Sequence, residues 1–276
     1  MSEPATSVDA RFGVALAREV GEALLGYFRR ESLQSELKSD YSLVTEADIA
    51  ADELVARAVG QAYPDDALLS EELSPRYDSA SESVWVVDPL DGTTNFAAGL
   101  QHWGVCLARV VNGFPRTAVL FFPALDEMYV AVEGEGATLN GRRLHARVPS
   151  SARPHGILAC CSRTPRLYHL NLPYKVRVLG SSAYGLVAVA RGSAAIAFET
   201  RPKIWDLAAA SLVVREAGGV FRSLGGGLLG GQSHDAGSAA PFPLCRGLAY
   251  AQRSYPVLAA ASAELAAFAI EHIEPR

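Results

Sequence analysis

The chain has 276 residues, 49% of them hydrophobic, and carries a formal net charge of -5. That supplies apolar material for a large core, built as two lobes or as one large α/β domain. The acidic balance argues against nucleic acid as a partner, although bound cations can still bring an anionic substrate to an acidic protein.

In chain order, the opening MSEPATSVDARFG is polar, with no apolar run behind a basic start, and reads as lacking a signal peptide. Phe12, Leu16, Val20, Leu24 and Tyr27 recur at helical spacing and predict an amphipathic helix over Val8–Arg30. A second helix is predicted from Ala47 to Ala62, with Thr45 or Glu46 at its start, Asp48 in its first turn and Pro64 behind its end. Ala67–Ser70 and Val84–Val87 read as short buried strands that each run into acidic residues. GVCLARVV and TAVLFFP read as strands joined by the Asn112-Gly113 turn, and GEGATLNGRRL as a hairpin around Asn140-Gly141.

A composition shift near Pro149–Pro154 marks a boundary, giving an N-terminal lobe, 1–150, and a C-terminal lobe, 151–276. Beyond it, ILACCS, KVRVLG and AAIAFE read as strands, with a small-residue helix from Ser182 to Arg191. Trp205 to Ala217 is apolar nearly all round and stops at Gly218-Gly219, which predicts a buried helix with a glycine cap. Val257 to Ile273 reads as a closing strand and helix, and SLGGGLLGG as a loop without the order of a nucleotide cradle. The four cysteines, Cys106, Cys160, Cys161 and Cys245, have no zinc spacing and read as buried small apolar residues in a reduced compartment. No run of about 18 uncharged apolar residues occurs, so no membrane span is expected and the cytoplasm is the default.

The chemistry lies where apolar strands run into carboxylates. Val84–Val87 leads into Asp88-Pro89-Leu90-Asp91-Gly92-Thr93-Thr94-Asn95-Phe96, bringing Asp88 and Asp91 to one edge of the core. Two carboxylates held that close repel each other, and a divalent cation relieves the repulsion. Oxygen-only ligands select a hard ion such as Mg²⁺. Glu71-Glu72 at the end of one strand, and Asp206 at the start of the buried helix, have the same character. Taken singly, each has a simpler reading: a turn, a solvated charge or a helix cap.

Together these segments resemble the inositol monophosphatase family of lithium-sensitive sugar phosphatases. The resemblance rests on DPLDGTTNF at Asp88–Phe96, WDLAAASLVVREAGG at Trp205–Gly219, LVTEAD at Leu43–Asp48, SEE at Ser70–Glu72 and Gly180–Ser182, all in order. It implies an α+β fold, a layered αβαβα sandwich, and a phosphomonoesterase acting on a small phosphorylated polyol or sugar, most directly inositol monophosphate. It further implies two or three Mg²⁺ ions held by Glu71, Asp88, Asp91, Asp206 and the Leu90 carbonyl. Thr93 resembles the threonine that orients the attacking water, with Asp48 behind it, and Glu71 joins them as a catalytic residue. Gly92, Gly180, Ser181, Ser182 and Glu199 match substrate contacts, together with Asp91, Thr93 and Asp206; the plainer readings are a Gly-Ser-Ser turn for Gly180–Ser182 and an edge-strand glutamate for Glu199. A homodimer and lithium sensitivity are also implied.

The chain departs from the family pattern in places. Ser42 stands where many members have Asp, the stretch from Lys38 to Thr45 is a residue short, and AAGLQHWG replaces the His-Gly-Phe-Pro type. Lys38 therefore reads as solvated, and His102, nearest the signature, as structural or surface. Alternative substrates on the same scaffold are fructose 1,6-bisphosphate, histidinol phosphate and 3′-phosphoadenosine 5′-phosphate. A bisphosphate would call for an extra basic group, for which Arg177 and Lys203 are candidates. Thr94-Asn95 favours the inositol type. The reading from another class is a non-catalytic interaction protein, against which the intact carboxylate set argues.

Overall fold

The computed structural model describes residues 7–28, 35–37, 43–77, 80–147, 156–224 and 241–276. Lys38, the boundary at Pro149–Pro154 and most of SLGGGLLGG lie outside them.

The first predicted helix forms as α1, Val8–Phe28, burying Leu16, Val20 and Leu24. The second forms as α2, Glu46–Ala62. Both lie on one face of a seven-stranded sheet, sharing a core with Trp85, Val87, Leu107, Val119 and Phe121. Fully burying each large apolar side chain there contributes about 1.5–3 kcal/mol. Glycine lets α1 sit close to the sheet: a Cβ at Gly21 would meet the Phe121 ring at 2.6 Å. Arg109 fastens the same layer, paired with Asp66 at 2.7 Å and Asp9 at 3.0 Å beneath the Tyr63 ring.

In the large sheet the strands lie in the order 142–143, 136–139, 127–132, 114–122, 104–111, 83–91 and 67–70. Only the last pair is parallel. Asn112 and Gly113 (φ 52° and 82°) and Asn140 and Gly141 (φ 48° and 74°) make the predicted turns in the left-handed region that Asn-Gly favours.

Helix α3 is the short Thr93–Ala97 and α4 is Thr164–Leu167. Helices α5, Ser182–Ala190, and α6, Ile204–Glu216, form the middle layer. α6 packs on the large sheet, and α5 on α6 and on a five-stranded sheet ordered 175–178, 157–160, 196–199, 257–260, 220–223. A helix held between two sheets is buried all round, which explains why neither helix has a polar face. Helix α7, Ala263–Glu271, covers the far side of the smaller sheet. The layers run α, β, α, β, α, as the resemblance implies.

Three local expectations change. The strand expected over Val84–Val87 runs from Ser83 to Asp91, so Asp88 and Asp91 lie on one strand and are not separated by a turn. Glu199 ends a central strand of the smaller sheet, not an edge strand. Of the cysteines, all free, Cys106 and Cys160 are buried, but Cys161 is half-buried and Cys245 exposed, so the packing reading holds for two of the four. No helix among the described residues is long and apolar enough to cross a membrane.

Candidate metal centre

Strand 83–91 sets the site through its register. Asp88 pairs with Cys106 and Asp91 with Gly104, so three steps on one strand face two on the other. Side chains alternate faces along a strand, and residues three apart should therefore point in opposite directions. The extra residue of the bulge cancels that alternation and brings both carboxylates to one side. Pro89, without an N–H to give the ladder, is accommodated in that irregular stretch. The partner must be glycine: a Cβ on Gly104 would sit 2.4 Å from the Phe121 carbonyl oxygen.

Asp206 comes from the first turn of α6, where its Oδ2 accepts the Lys203 amide at 2.9 Å. Helix capping, the simpler reading of this residue, is thus realised together with its place in the cluster. Carboxylate oxygens of Asp88, Asp91 and Asp206 all lie within 4.8 Å of one another. Glu71, half-buried just past strand 67–70, stands outside that trio, but its charge acts on Asp48, Asp88, Asp91 and Asp206.

Burial, reinforced by the charges of Glu71, Asp91 and Asp206, pushes Asp88 well above the usual carboxylate range. Burial likewise raises Asp206, with Asp91 and Glu71 adding to it. Burial lifts Asp91 to about 6, against the pull of three hydrogen bonds. These come from the Ser181 hydroxyl, the Ala183 amide at 3.0 Å and the Ser182 amide at 3.2 Å, all at the N-terminus of α5. Buried carboxylates that resist ionisation together are stabilised by a hard cation, and an all-oxygen donor set fits Mg²⁺.

Beside the trio, Thr93 Oγ1 lies 3.1 Å from Asp48 Oδ1 and 3.1 Å from the Leu90 carbonyl oxygen. Asp48 Oδ2 accepts the Thr45 amide at 2.8 Å and the Thr45 hydroxyl at 2.6 Å. Thr45 and Asp48 form the capping box of α2. That box holds one oxygen of Asp48 and leaves the other for Thr93. Burial raises Asp48 above the usual carboxylate value, with the Thr45 and Thr93 bonds opposing. Gly92 (φ 89°) precedes α3, and a Cβ there would strike the His102 carbonyl oxygen at 2.8 Å.

The hydroxyl-reading candidates gather at the N-terminus of α5 and the end of strand 196–199. Ser181 caps α5, and Ser182 Oγ donates to Glu199 Oε2 at 3.4 Å. Burial, followed by the Cys161, Asp91 and Asp206 charges, pushes Glu199 well above its usual range. The sequence reading gave no role to Asn95, which ties the segment before strand 104–111 to the segment before α5. Its amide donates to His102 O at 2.7 Å and Leu179 O at 2.8 Å, and a Cβ on Gly180 would meet its Oδ1 at 2.4 Å. Of the two residues expected at the start of α2, Thr45 is the one that caps it; nothing local in the sequence could have found the partners of Asn95.

His102 packs edge-on against Tyr184 at 4.9 Å, in keeping with a structural role. Arg177 is exposed on strand 175–178 and donates to the Val176 carbonyl. Lys203 turns its ammonium onto the Ala251 carbonyl.

A sequence profile of the inositol monophosphatase family matches residues 6–274. A Pasteurella multocida protein named Nus factor SuhB is 36% identical over 227 residues, covering 78% of this chain and 84% of its own. A Chlorobaculum parvum histidinol-phosphatase is 36% identical over 223 residues, covering 76% and 84%. Among solved structures, a Thermotoga maritima IMPase superposes with a TM-score of 0.76 at 25% identity, covering 96% of each chain.

Proposed function

The chain belongs to the inositol monophosphatase family and is a phosphatase of that family, and from that premise we propose that it is a Mg²⁺-dependent phosphomonoesterase for a small polyol monophosphate, inositol monophosphate first. The observation that carries this reading is the trio Asp88, Asp91 and Asp206, buried or half-buried within 4.8 Å, with Thr93 and Asp48 alongside. Asp88, Asp91, Asp206, Glu71 and the Leu90 carbonyl would hold two or three Mg²⁺ ions. Such ions supply an acidified water and charge neutralisation for the phosphate and the departing alkoxide.

The chain's own residues do the rest. Thr93 Oγ1 accepts a hydrogen bond from the attacking water while its own proton points to Asp48 Oδ1. As the water oxygen bonds to phosphorus, the bond from phosphorus to the polyol oxygen breaks; the water proton passes to Thr93 Oγ1, the threonine proton moves to Asp48, and the departing alkoxide takes a proton from solvent, to which Asp48 returns its own. A neutral hydroxyl is a weak base alone, and the carboxylate behind it makes the relay workable. The amides of Gly92 and Thr93 open α3 toward the phosphate, and Ser181, Ser182 and Glu199 bind and orient the polyol hydroxyls about the Gly180 turn. The lobe 1–150 brings most of the ligands, and 151–276 brings Asp206 and the polyol side.

An inositol-type monophosphate is favoured by Thr94-Asn95 in the signature. Histidinol phosphate is the second reading, favoured by the 36% identical relative that carries that name. The test is phosphate release from inositol 1-phosphate, histidinol phosphate, fructose 1,6-bisphosphate and 3′-phosphoadenosine 5′-phosphate, each with Mg²⁺ and with EDTA. Mg²⁺-dependent turnover of inositol 1-phosphate above the others supports the assignment. Preference for another compound moves the substrate, and no release from any moves the interaction-protein reading forward. A cytoplasmic homodimer inhibited by Li⁺ completes the reading, checked by light scattering and by adding Li⁺ to the same assay.

A further inference from the structure

A second feature lies on the other face of the large sheet. Trp85 and Val87 pack toward α1 and α2, while Val84 and Val86 pack toward the middle helices. Asp88 continues the second series, so the metal centre opens on the side of α6. On the α1 side, a groove of about 730 Å³ lies between α1 and the strands 127–132, 136–139 and 142–143.

One wall of the groove is a stripe of α1: Arg11, Val14, Ala15 and Arg18, spaced three, four and seven residues apart on one helix face. The floor is Met128 and Val130, two residues apart and therefore on the same face of their strand. Arg142 closes the far side from the 142–143 strand, and among the described residues that line the groove none is acidic. The Arg18 guanidinium lies 5.9 Å over the Phe121 ring, which restrains it before any ligand arrives. In a chain of net charge -5, three arginines around one apolar floor do not follow from a generally basic surface.

We propose that this groove is a second binding site for a small organic anion with a flat apolar body and a phosphate or carboxylate head. The head would be held by Arg18 and Arg142, whose planar guanidiniums match either group two bonds at a time, while the body lies on Val14, Met128 and Val130. The volume suits a small molecule. The site shares no residue with the metal centre, and its occupant stands or falls independently of the phosphatase reading.

The experiment is isothermal titration of the full chain, stripped with EDTA so that the acidic centre repels phosphates, using 1-naphthyl phosphate, inorganic phosphate and 1-naphthol. The expected result is saturable binding of 1-naphthyl phosphate with a Kd on the order of 1 mM or tighter, and much weaker binding of either fragment. Arg18→Gln with Arg142→Gln weakens it by about tenfold or more, leaving the melting temperature and Mg²⁺-dependent turnover unchanged. No saturable binding, undiminished binding in the double variant, or equal affinity for inorganic phosphate would each overturn the proposal.

Discussion

Replacing Asp91 with asparagine separates what the carboxylate does for the fold from what it does for a cation. The rise of Asp91 from 3.8 to about 6 corresponds to roughly 3 kcal/mol against its charged form above pH 6. Asparagine removes that charge and keeps one acceptor oxygen. Facing the Ser181 hydroxyl and the Ala183 amide, that oxygen preserves two of the three bonds and turns an NH₂ toward the Ser182 amide. Losing that bond costs about 1–2 kcal/mol. The EDTA-treated variant should therefore be more stable than the parent by about 1–2 kcal/mol at pH 8, a shift of about 2–8 °C in melting temperature.

The sign follows from linkage. A carboxylate raised in the folded state contributes stability below its unfolded pKa and loses it as pH climbs through the folded one. The variant's advantage should grow between pH 4 and pH 6 and then level off. Addition of Mg²⁺ should raise the parent's melting temperature far more than the variant's, and the variant should not turn over substrate. Thermal melts at pH 5 and pH 8, with EDTA and with Mg²⁺, read all of this. A variant less stable than the parent at pH 8 in EDTA, or one retaining near-parental turnover, would refute the reasoning.

Thr93→Ala should lower kcat by about 10²–10⁴ with little change in KM, whereas Thr93→Ser retains most activity; steady-state kinetics on both decides. Asp48→Asn should slow turnover and also weaken the capping of α2 by about 1 kcal/mol, read as paired losses in rate and in denaturation midpoint. Gly104→Ala should destabilise the fold by about 1–3 kcal/mol or more, because its methyl meets the Phe121 carbonyl; a urea titration measures it. Asn95→Ala, which frees the carbonyls of His102 and Leu179, should raise KM more than it lowers kcat, and an equal effect on both would argue against its role in placing the Gly180–Ser182 turn.

The two first helices and both Asn-Gly hairpins were legible because their signals are local: apolar spacing in one case, a left-handed turn in the other. The all-apolar character of Trp205–Ala217 announced burial, but not that a sheet lies on each side of it. The full length of strand 83–91 was hidden, since Asp-Pro-Leu-Asp-Gly reads locally as a turn and continues as strand only because Gly104 receives it. Pairings such as 76–77 with 248–249 and 168–170 with 273–275 join residues far apart in sequence and leave no periodic trace. At the site, the residue types were readable and their convergence was not. Nothing in spacing alone places Asp206 within 4.8 Å of Asp88, or Ser182 against Glu199; the family resemblance supplied those neighbourhoods.

The bulge between Asp88 and Asp91 has a bearing on how such a site can be lost in evolution. Substituting a carboxylate erases one ligand and leaves the others facing one another. Deleting Pro89 or Leu90, by contrast, removes the extra residue: two steps then face two, both aspartates still point to one side, and Gly104 still receives Asp91. The pair of carboxylates is therefore more sensitive to one changed side chain than to one lost codon between them.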